Sequence, residues 1–354
     1  MAYRLPLHMK KTNLCGLTRD EFERLMEDVG EKPFRARQLY KWIYKNRVFA
    51  FRGMSDLRRD LRLRLQEKYY IGLPQIAARQ KSSDGTEKFL LELEDKNVIE
   101  SVLIEDESSG RTTLCISSQS GCPLGCTFCA TGALGFNRNL TVGEIIGQPL
   151  VIRDLYGEGA FDNIVFMGMG EPLLNYAAVM TAIDIMTDSL GLMVGARKIT
   201  ISTAGVTSGI RKLTASGSKV NLALSLNAPD DARRRRIMPV TKKYPLAGVL
   251  EAVGRWTEVH KRRVTFEYIL FAGFNDGEQD ALALAALVRG IPCKINLLAY
   301  NPIEGGDGQR PGDVVVDRFA QTLYPRAPAV TIRKSRGRDI DAACGQLAGR
   351  KGYL

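Results

Sequence analysis

Residues 113–132 read TLCISSQSGCPLGCTFCATG. The run opens as a short β-rich strand and ends in a loop where Cys122, Cys126 and Cys129 fall within eight residues, spaced by Pro123 and Gly125. Structural zinc is closed by four ligands, and the only two histidines, His8 and His260, do not flank this loop. A C-x3-C-x2-C loop suits a 4Fe-4S cluster better: three irons take a thiolate each and the fourth is left open to a substrate. Zinc and a chance grouping are the competing readings.

Working outward from that loop, strands and helices alternate. Further strand candidates are NIVFMGMG (163–170), KITIST (198–203), VNLALSLN (220–227), RVTFEYIL (263–270) and CKINLLAYN (293–301). Helical patterns lie between them, among them 141–157, 176–191, 246–262 and 277–290. Near-continuous apolar strands joined by helices predict a parallel sheet curved into a barrel or partial barrel. Chemistry in such folds gathers beyond the carboxyl ends of the strands. The cysteine loop, Gly170, Glu171, Ser202, Ser225, Asn227 and Asn301 all fall there. A last strand, AVTIRKS (329–335), leads into GRDIDAACGQLAG (337–349).

Upstream, residues 17–70 read as helices. Thr18 with Glu21 forms a capping-box pattern, Pro33 opens a second helix, and Ser55 is the expected N-cap of a third. EKFLLELED (87–95) and VIESVLIED (98–106) resemble a hairpin. The expected organisation is a basic helical domain over 1–80, a hairpin extension over 81–107, a barrel over 108–343 and a tail over 344–354.

The chain has 354 residues, 45% hydrophobic and 25% charged, with a formal net charge of +11. Residues 1–80 carry 18 Lys/Arg against 9 Asp/Glu, and the rest is near neutral. That asymmetry points to a polyanion partner, nucleic acid first, with a merely solubilising surface as the alternative. No apolar run is long enough for a membrane span, and the start lacks an apolar secretory core, so a cytoplasmic protein is expected. Clustered cysteines in that setting read as metal-binding or catalytic.

The cysteine spacing behind a first barrel strand, with Phe128 before the third cysteine, resembles the radical S-adenosylmethionine (SAM) superfamily. MGMGEP (167–172) is similar to that superfamily's glycine-rich segment, whose backbone and glutamate hold the methionyl ammonium of SAM. KPFRARQLYKWIY (32–44), TLCISSQSGCPLGCTFCATGALGFNRNLT (113–141), MGMGEPLLN (167–175), CKINLLAYNP (293–302) and RGRDIDAACGQLAG (336–349) together resemble the RlmN-type RNA methyltransferases.

The resemblance implies a partial (β/α)6 radical SAM barrel and methylation of C2 of an adenosine in the peptidyl-transferase region of 23S rRNA, and of the adenosine 3′ to the anticodon in some tRNAs. It implies a 4Fe-4S cluster on Cys122, Cys126 and Cys129. Two SAM molecules are used per turnover, bound by Gly170, Glu171, Ser202, Ser225, Leu226, Asn227 and Asn301. Cys344 takes a methyl group, a radical formed from a second SAM removes a hydrogen from it, and the carbon adds to C2. Glu100, or Cys115, removes the C2 proton. Cys115 then attacks the Cys344 sulfur, giving a disulfide that thiols reduce. An electron donor of the flavodoxin or ferredoxin type and a monomeric state complete the picture. Asn227 departs from the family pattern SLHAP, which places histidine there.

Other readings stay open. A Cfr-like enzyme would methylate C8 of the same adenosine. A non-catalytic iron–sulfur RNA-binding protein would need a fourth cluster ligand and leave Cys344 idle. Cys15 and Cys293 read as packing residues. ARRRRIMP (232–239) reads either as a solvated helix face or as phosphate contacts. Phe34, Tyr40, Trp42 and Tyr44 sit at helical spacing and are expected in the core of the small domain, leaving its Lys/Arg face for RNA.

Overall fold

The structure, a computed structural model, describes residues 11–106 and 110–349. His8, residues 107 and 108 at the expected hairpin–barrel boundary, and the end of the expected tail lie outside the described residues. One ten-stranded sheet organises the fold. Its strands in chain order are β1 (Gln75–Lys81), β2 (Glu87–Glu92), β3 (Val98–Asp106), β4 (Arg111–Cys115), β5 (Asn163–Phe166), β6 (Ile199–Thr203), β7 (Asn221–Ser225), β8 (Val264–Leu270), β9 (Cys293–Ala299) and β10 (Val330–Ile332). Their spatial order follows the chain from β1 at one edge to β10 at the other. From β4 onward every neighbouring pair is parallel, while β1 to β4 form an antiparallel meander.

Strictly sequential parallel order means that each helical crossover returns one strand further along. The helices after β4 to β9 are Val142–Tyr156, Tyr176–Thr187, Thr207–Ala215, Leu246–His260, Glu278–Leu287 and Asp313–Leu323. Repeating one right-handed crossover curls the sheet, and with β10 unpaired to β3 or β4 among the described residues the curl stays an open barrel. Strand interiors such as Leu222–Leu224 and Ile295 are fully buried, as strands covered on both faces should be.

The N-terminal helices pack on the expected aromatic core. Thr18 and Glu21 make the capping box at the start of Arg19–Asp28, and Phe34–Tyr44 follows Pro33. Tyr40 and Tyr44 are buried, 4.6 Å between ring centroids, and both meet Phe22 edge-on. Phe34 departs from this: it is 48% exposed and carries Arg35 over its ring. The third helix also departs, running Arg59–Lys68 behind Arg58 and not from Ser55. The Asp56 carboxylate accepts from Trp42 and Gln38, and its carbonyl accepts from Arg35. Those bonds hold residues 55–57 against the second helix, with Leu57 buried, so helical turns begin only beyond them. Finally, the hairpin carries an extra outer strand, β1, which crosses the 80/81 boundary read from charge.

Candidate active site

Beyond β4 the chain passes into a two-stranded ribbon, Gln119–Gly121 against Phe136–Asn139, which frames the cysteine loop. Gly121 has φ +75°, and a Cβ there would collide with the Gly135 carbonyl oxygen, so the ribbon closes only with glycine. Within the loop, the Cys122 N–H donates to Gly135 O (2.8 Å), that of Thr127 to Ile237 O (3.0 Å) and that of Cys129 to Cys126 O (3.1 Å). All three thiols line one cavity at the mouth of the barrel. Burial pushes the Cys122 thiol up to about 12 and raises Cys126 and Cys129 as well. Thiols so placed become thiolates only against a strong positive charge, and soft sulfur donors fit iron–sulfur chemistry.

The glycine-rich segment after β5 lies tight against the same ribbon. A Cβ on Gly168 would sit 2.7 Å from the Ile116 carbonyl carbon, and one on Gly170, at φ +99°, 2.5 Å from the Gln119 Cβ. The Met169 carbonyl accepts from the Ser118 and Gln119 N–H groups, and Glu171 N–H donates to the Gln119 side-chain oxygen at 2.8 Å. The buried Glu171 carboxylate accepts from the backbone N–H of Leu173 (3.1 Å) and Ala204 (2.8 Å), and burial raises its pKa to about 7. Gly170, Glu171, Ser202, Ser225 and Asn227 line the cavity with the three cysteines. Leu226 does not: its side chain is in the hydrophobic core and its N–H donates to Glu267 O. Asn227, at φ +59°, occupies a left-handed position that asparagine tolerates. Its side-chain oxygen accepts from Ile269 N–H at 3.0 Å, tying β7 to β8.

Beneath this rim the arginine run resolves. Arg234 is fully buried and donates to the carbonyls of Leu226 (3.0 Å), Ser225 (3.0 Å) and Ala204 (2.6 Å) and to the Thr241 hydroxyl (2.9 Å). Arg233 pairs with Asp230 and Asp280, and Arg235 and Arg236 are exposed. One member of the run is therefore a brace under the ends of β6 and β7. Arg234→Met, which takes this donor from the Ser225 and Ala204 carbonyls while the Leu226 carbonyl keeps the Ala228 N–H, is expected to lower stability by about 2–5 kcal/mol, each orphaned group costing roughly 1–3. Urea denaturation followed by circular dichroism checks this through the shift in midpoint.

Across the mouth runs the C-terminal segment, anchored along its length. Gly337 N–H donates to Asp84 (2.8 Å) and the Ser82 hydroxyl to Asp339 (2.5 Å). Asn301 donates to Cys344 O (3.3 Å), Ala130 N–H to Gly345 O (2.7 Å) and the Thr131 hydroxyl to Leu347 O (2.6 Å). Asn301 thus holds this strap and is not part of the cavity lining. Gly345, at φ +88°, passes where a Cβ would meet the Phe128 carbonyl oxygen at 2.8 Å. The strap places Cys344 at the seam of two cavities. It lines the mouth with Cys122, Cys126 and Cys129, and also lines a smaller cavity with Cys115 and Arg333. Burial pushes the Cys115 thiol up to about 12, with the nearby Cys344 adding and Arg333 opposing.

Glu100 lies under the strap and lines neither cavity. It is buried, accepts from the backbone N–H of Gly349 and Ala348, and has Lys88 Nζ 3.9 Å away. Its Oε2 has no partner, and burial raises its pKa. Cys15 and Cys293 are buried away from the site, as packing residues are.

Two groups at the site went unnoticed in the sequence. Arg333 reaches between Cys115, Cys344 and Glu267, its charge favoured first by Cys344. Glu267 lines the mouth cavity, accepts from the Asn296 amide at 2.9 Å, and keeps its Oε2 without a partner. A lone carboxylate inside the apolar strand VTFEYIL was the available signal.

An open parallel barrel bearing three thiols on its first loop and a glycine-rich glutamate segment on its second defines a radical SAM enzyme, with a 4Fe-4S cluster and SAM as its cofactors. The radical SAM superfamily model matches residues 116–285, and the model described as the ribosomal RNA large subunit methyltransferase N-terminal domain matches residues 12–71. The chain is 46% identical over 337 residues to the dual-specificity RNA methyltransferase RlmN of Halorhodospira halophila, covering 95% of this chain and 93% of that one. It is 45% identical to RlmN of Rhodospirillum rubrum, covering 97% and 82%. A radical SAM methyltransferase from Sphaerobacter thermophilus superposes with a TM-score of 0.91 at 39% identity, covering 96% of this chain and all of that one. The chain belongs to the RlmN family of RNA methyltransferases.

Proposed function

We propose that this chain methylates C2 of an adenosine in 23S rRNA and of the adenosine 3′ to the anticodon in tRNA, with the carbon carried on Cys344. The observation that carries the reading is the meeting of Cys344 with both the three-thiol cavity and Cys115. C2 of adenine lies between two nitrogens and is electron-poor, so it does not attack an electrophilic methyl group. The bound cluster and SAM supply the methyl group and the radical chemistry that overcomes this. Cys344 serves as methyl acceptor, and it shares the smaller cavity with Arg333 and Cys115. Gly170, Glu171, Ser202, Ser225 and Asn227 position SAM from the cavity wall, with the Leu226 backbone between them and Asn301 setting the strap. Glu100 or Cys115 takes the C2 proton: Glu100 is a buried carboxylate beneath the strap with one oxygen unpartnered, and Cys115 shares a cavity with Cys344. Cys115 resolves the protein–RNA bond by attack on the Cys344 sulfur. Nucleoside mass spectrometry of RNA treated with reconstituted enzyme tests the reading: 2-methyladenosine is expected, and 8-methyladenosine or unmodified adenosine would overturn it.

The N-terminal helices supply RNA anchoring through exposed Lys32, Arg37, Lys41, Arg52, Arg58 and Arg59. Reversing Lys32, Arg37 and Lys41 is expected to weaken RNA binding and reduce the slope of log affinity against log salt by roughly one for each phosphate that goes unpaired. Filter binding across a salt series measures it, and an unchanged slope would remove these residues from the interface. No helix among the described residues is long and apolar enough to cross a membrane. The reading is completed by a monomer working in the cytoplasm, reduced by a flavodoxin- or ferredoxin-type donor.

A further inference from the structure

The open side of the barrel gives the cysteine pair a second face. Cys115 lines a narrow cavity of about 50 Å³ together with Val165, Met167, Leu298, Arg333 and Cys344. That space holds a thiomethyl-sized group, since one water needs roughly 10–15 Å³. It shares Ile104, Arg333, Lys334 and Arg336 with a groove of about 790 Å³. Lys294 lines the groove near the amino end of β9, with Thr113 and Thr331 at the middles of β4 and β10, and no cysteine of the loop lines it. Cys344 lines both the mouth and the rear cavity, whereas Cys115 lines the rear cavity and not the mouth.

We propose that this rear groove binds a low-molecular-weight thiol bearing carboxylates, which reduces the Cys115–Cys344 disulfide between turnovers. The inference rests on the resolving role given to Cys115 above. A disulfide is attacked at the sulfur that is accessible, and the better-stabilised thiolate leaves. A thiolate coming from the rear attacks Cys115 Sγ, the S–S bond breaks, and Cys344 leaves as a thiolate beside Arg333 and takes up a proton. A second thiolate attacks the external sulfur of the mixed disulfide, and Cys115 leaves and is protonated in turn. Two external thiols are oxidised to one disulfide, and the protein disulfide gains two electrons. The lining charges also select the reductant: Lys294, Arg333, Lys334 and Arg336 outnumber Glu105 and Asp106. The groove's position keeps reduction independent of RNA at the mouth.

The test uses reconstituted full-length enzyme after one turnover, with the disulfide followed by alkylation and mass spectrometry. Reduction rates are measured with 3-mercaptopropionate, 2-mercaptoethanol and cysteamine, each normalised to thiolate concentration. At low salt the anionic thiol is expected to react about tenfold faster than the neutral one, and the cationic thiol slowest, an order that added salt should erase. Lys294→Glu and Lys334→Glu should abolish or invert the order while the methylated RNA formed in the first turnover stays unchanged. Equal normalised rates on the unaltered enzyme, or variants that keep the anionic preference, would overturn the groove's role alone. Finding no Cys115–Cys344 disulfide after a turnover would overturn the resolving role of Cys115, and the groove's role with it.

Discussion

Cys344→Ala is expected to yield no 2-methyladenosine and no protein–RNA adduct. Deleting a residue that forms the covalent intermediate costs on the order of 10⁶-fold, which is below detection here. The strap that carries Cys344 is held by Asn301, Ala130 and Thr131, bonds that do not depend on the thiol. The variant should therefore fold and bind RNA, and the loss would be chemical. Cys115→Ala should behave differently, because in the proposed sequence Cys115 acts after the carbon has joined C2. It should accumulate RNA attached through Cys344, seen as a slowed band on a denaturing gel that nuclease collapses. The double variant should never show that band. Methylated RNA from Cys344→Ala would end the carrier role, and an adduct-free Cys115→Ala enzyme would end the resolving role.

The second large effect concerns iron. Anaerobically reconstituted protein should hold about four irons per chain, as a cube with one open corner requires. Alanine at Cys122, Cys126 or Cys129 should remove most of that iron and all SAM cleavage. The three half-buried thiols line one cavity wall with pKa values pushed upward, so the remaining two are poor ligands without a third to share the metal charge. Iron and sulfide assays with detection of 5′-deoxyadenosine are the measurements. A variant that keeps both iron and cleavage would remove that cysteine from the ligand set.

Much of this was legible in the sequence because the signals are local. Apolar strands, capping boxes and a thiol loop each declare themselves within about ten residues, and so the six-strand order and the cluster motif could be read directly. What stayed hidden depends on neighbours distant in the chain. Arg234 looks like any member of a solvated run until the ends of β6 and β7 surround it with carbonyls. Ser55 is a good cap by composition, but Asp56 is drawn to the second helix and delays the third. Arg333 and Glu267 face the barrel interior, and a charge there gains its meaning only when the curled sheet brings β8 and β10 beside Cys115 and Cys344. Cys344 by itself resembles a packing residue; only its motif, and then the strap, mark it out.

The strap also sets the order in which the protein becomes dangerous to RNA. Its anchors reach back across 257 residues from Asp339 to Ser82 and across 216 from Leu347 to Thr131. During translation the N-terminal helices, the meander and the barrel strands emerge and fold before those contacts are possible. Throughout that interval the thiol cavity is uncovered, with no methyl acceptor over it. A chain terminated before residue 344 still presents the cysteine loop, yet it lacks the sulfur proposed to bond to an adenosine. If Cys344 carries the carbon as proposed, covalent capture of RNA waits until the segment beyond β10 has been made and has closed over the cavity.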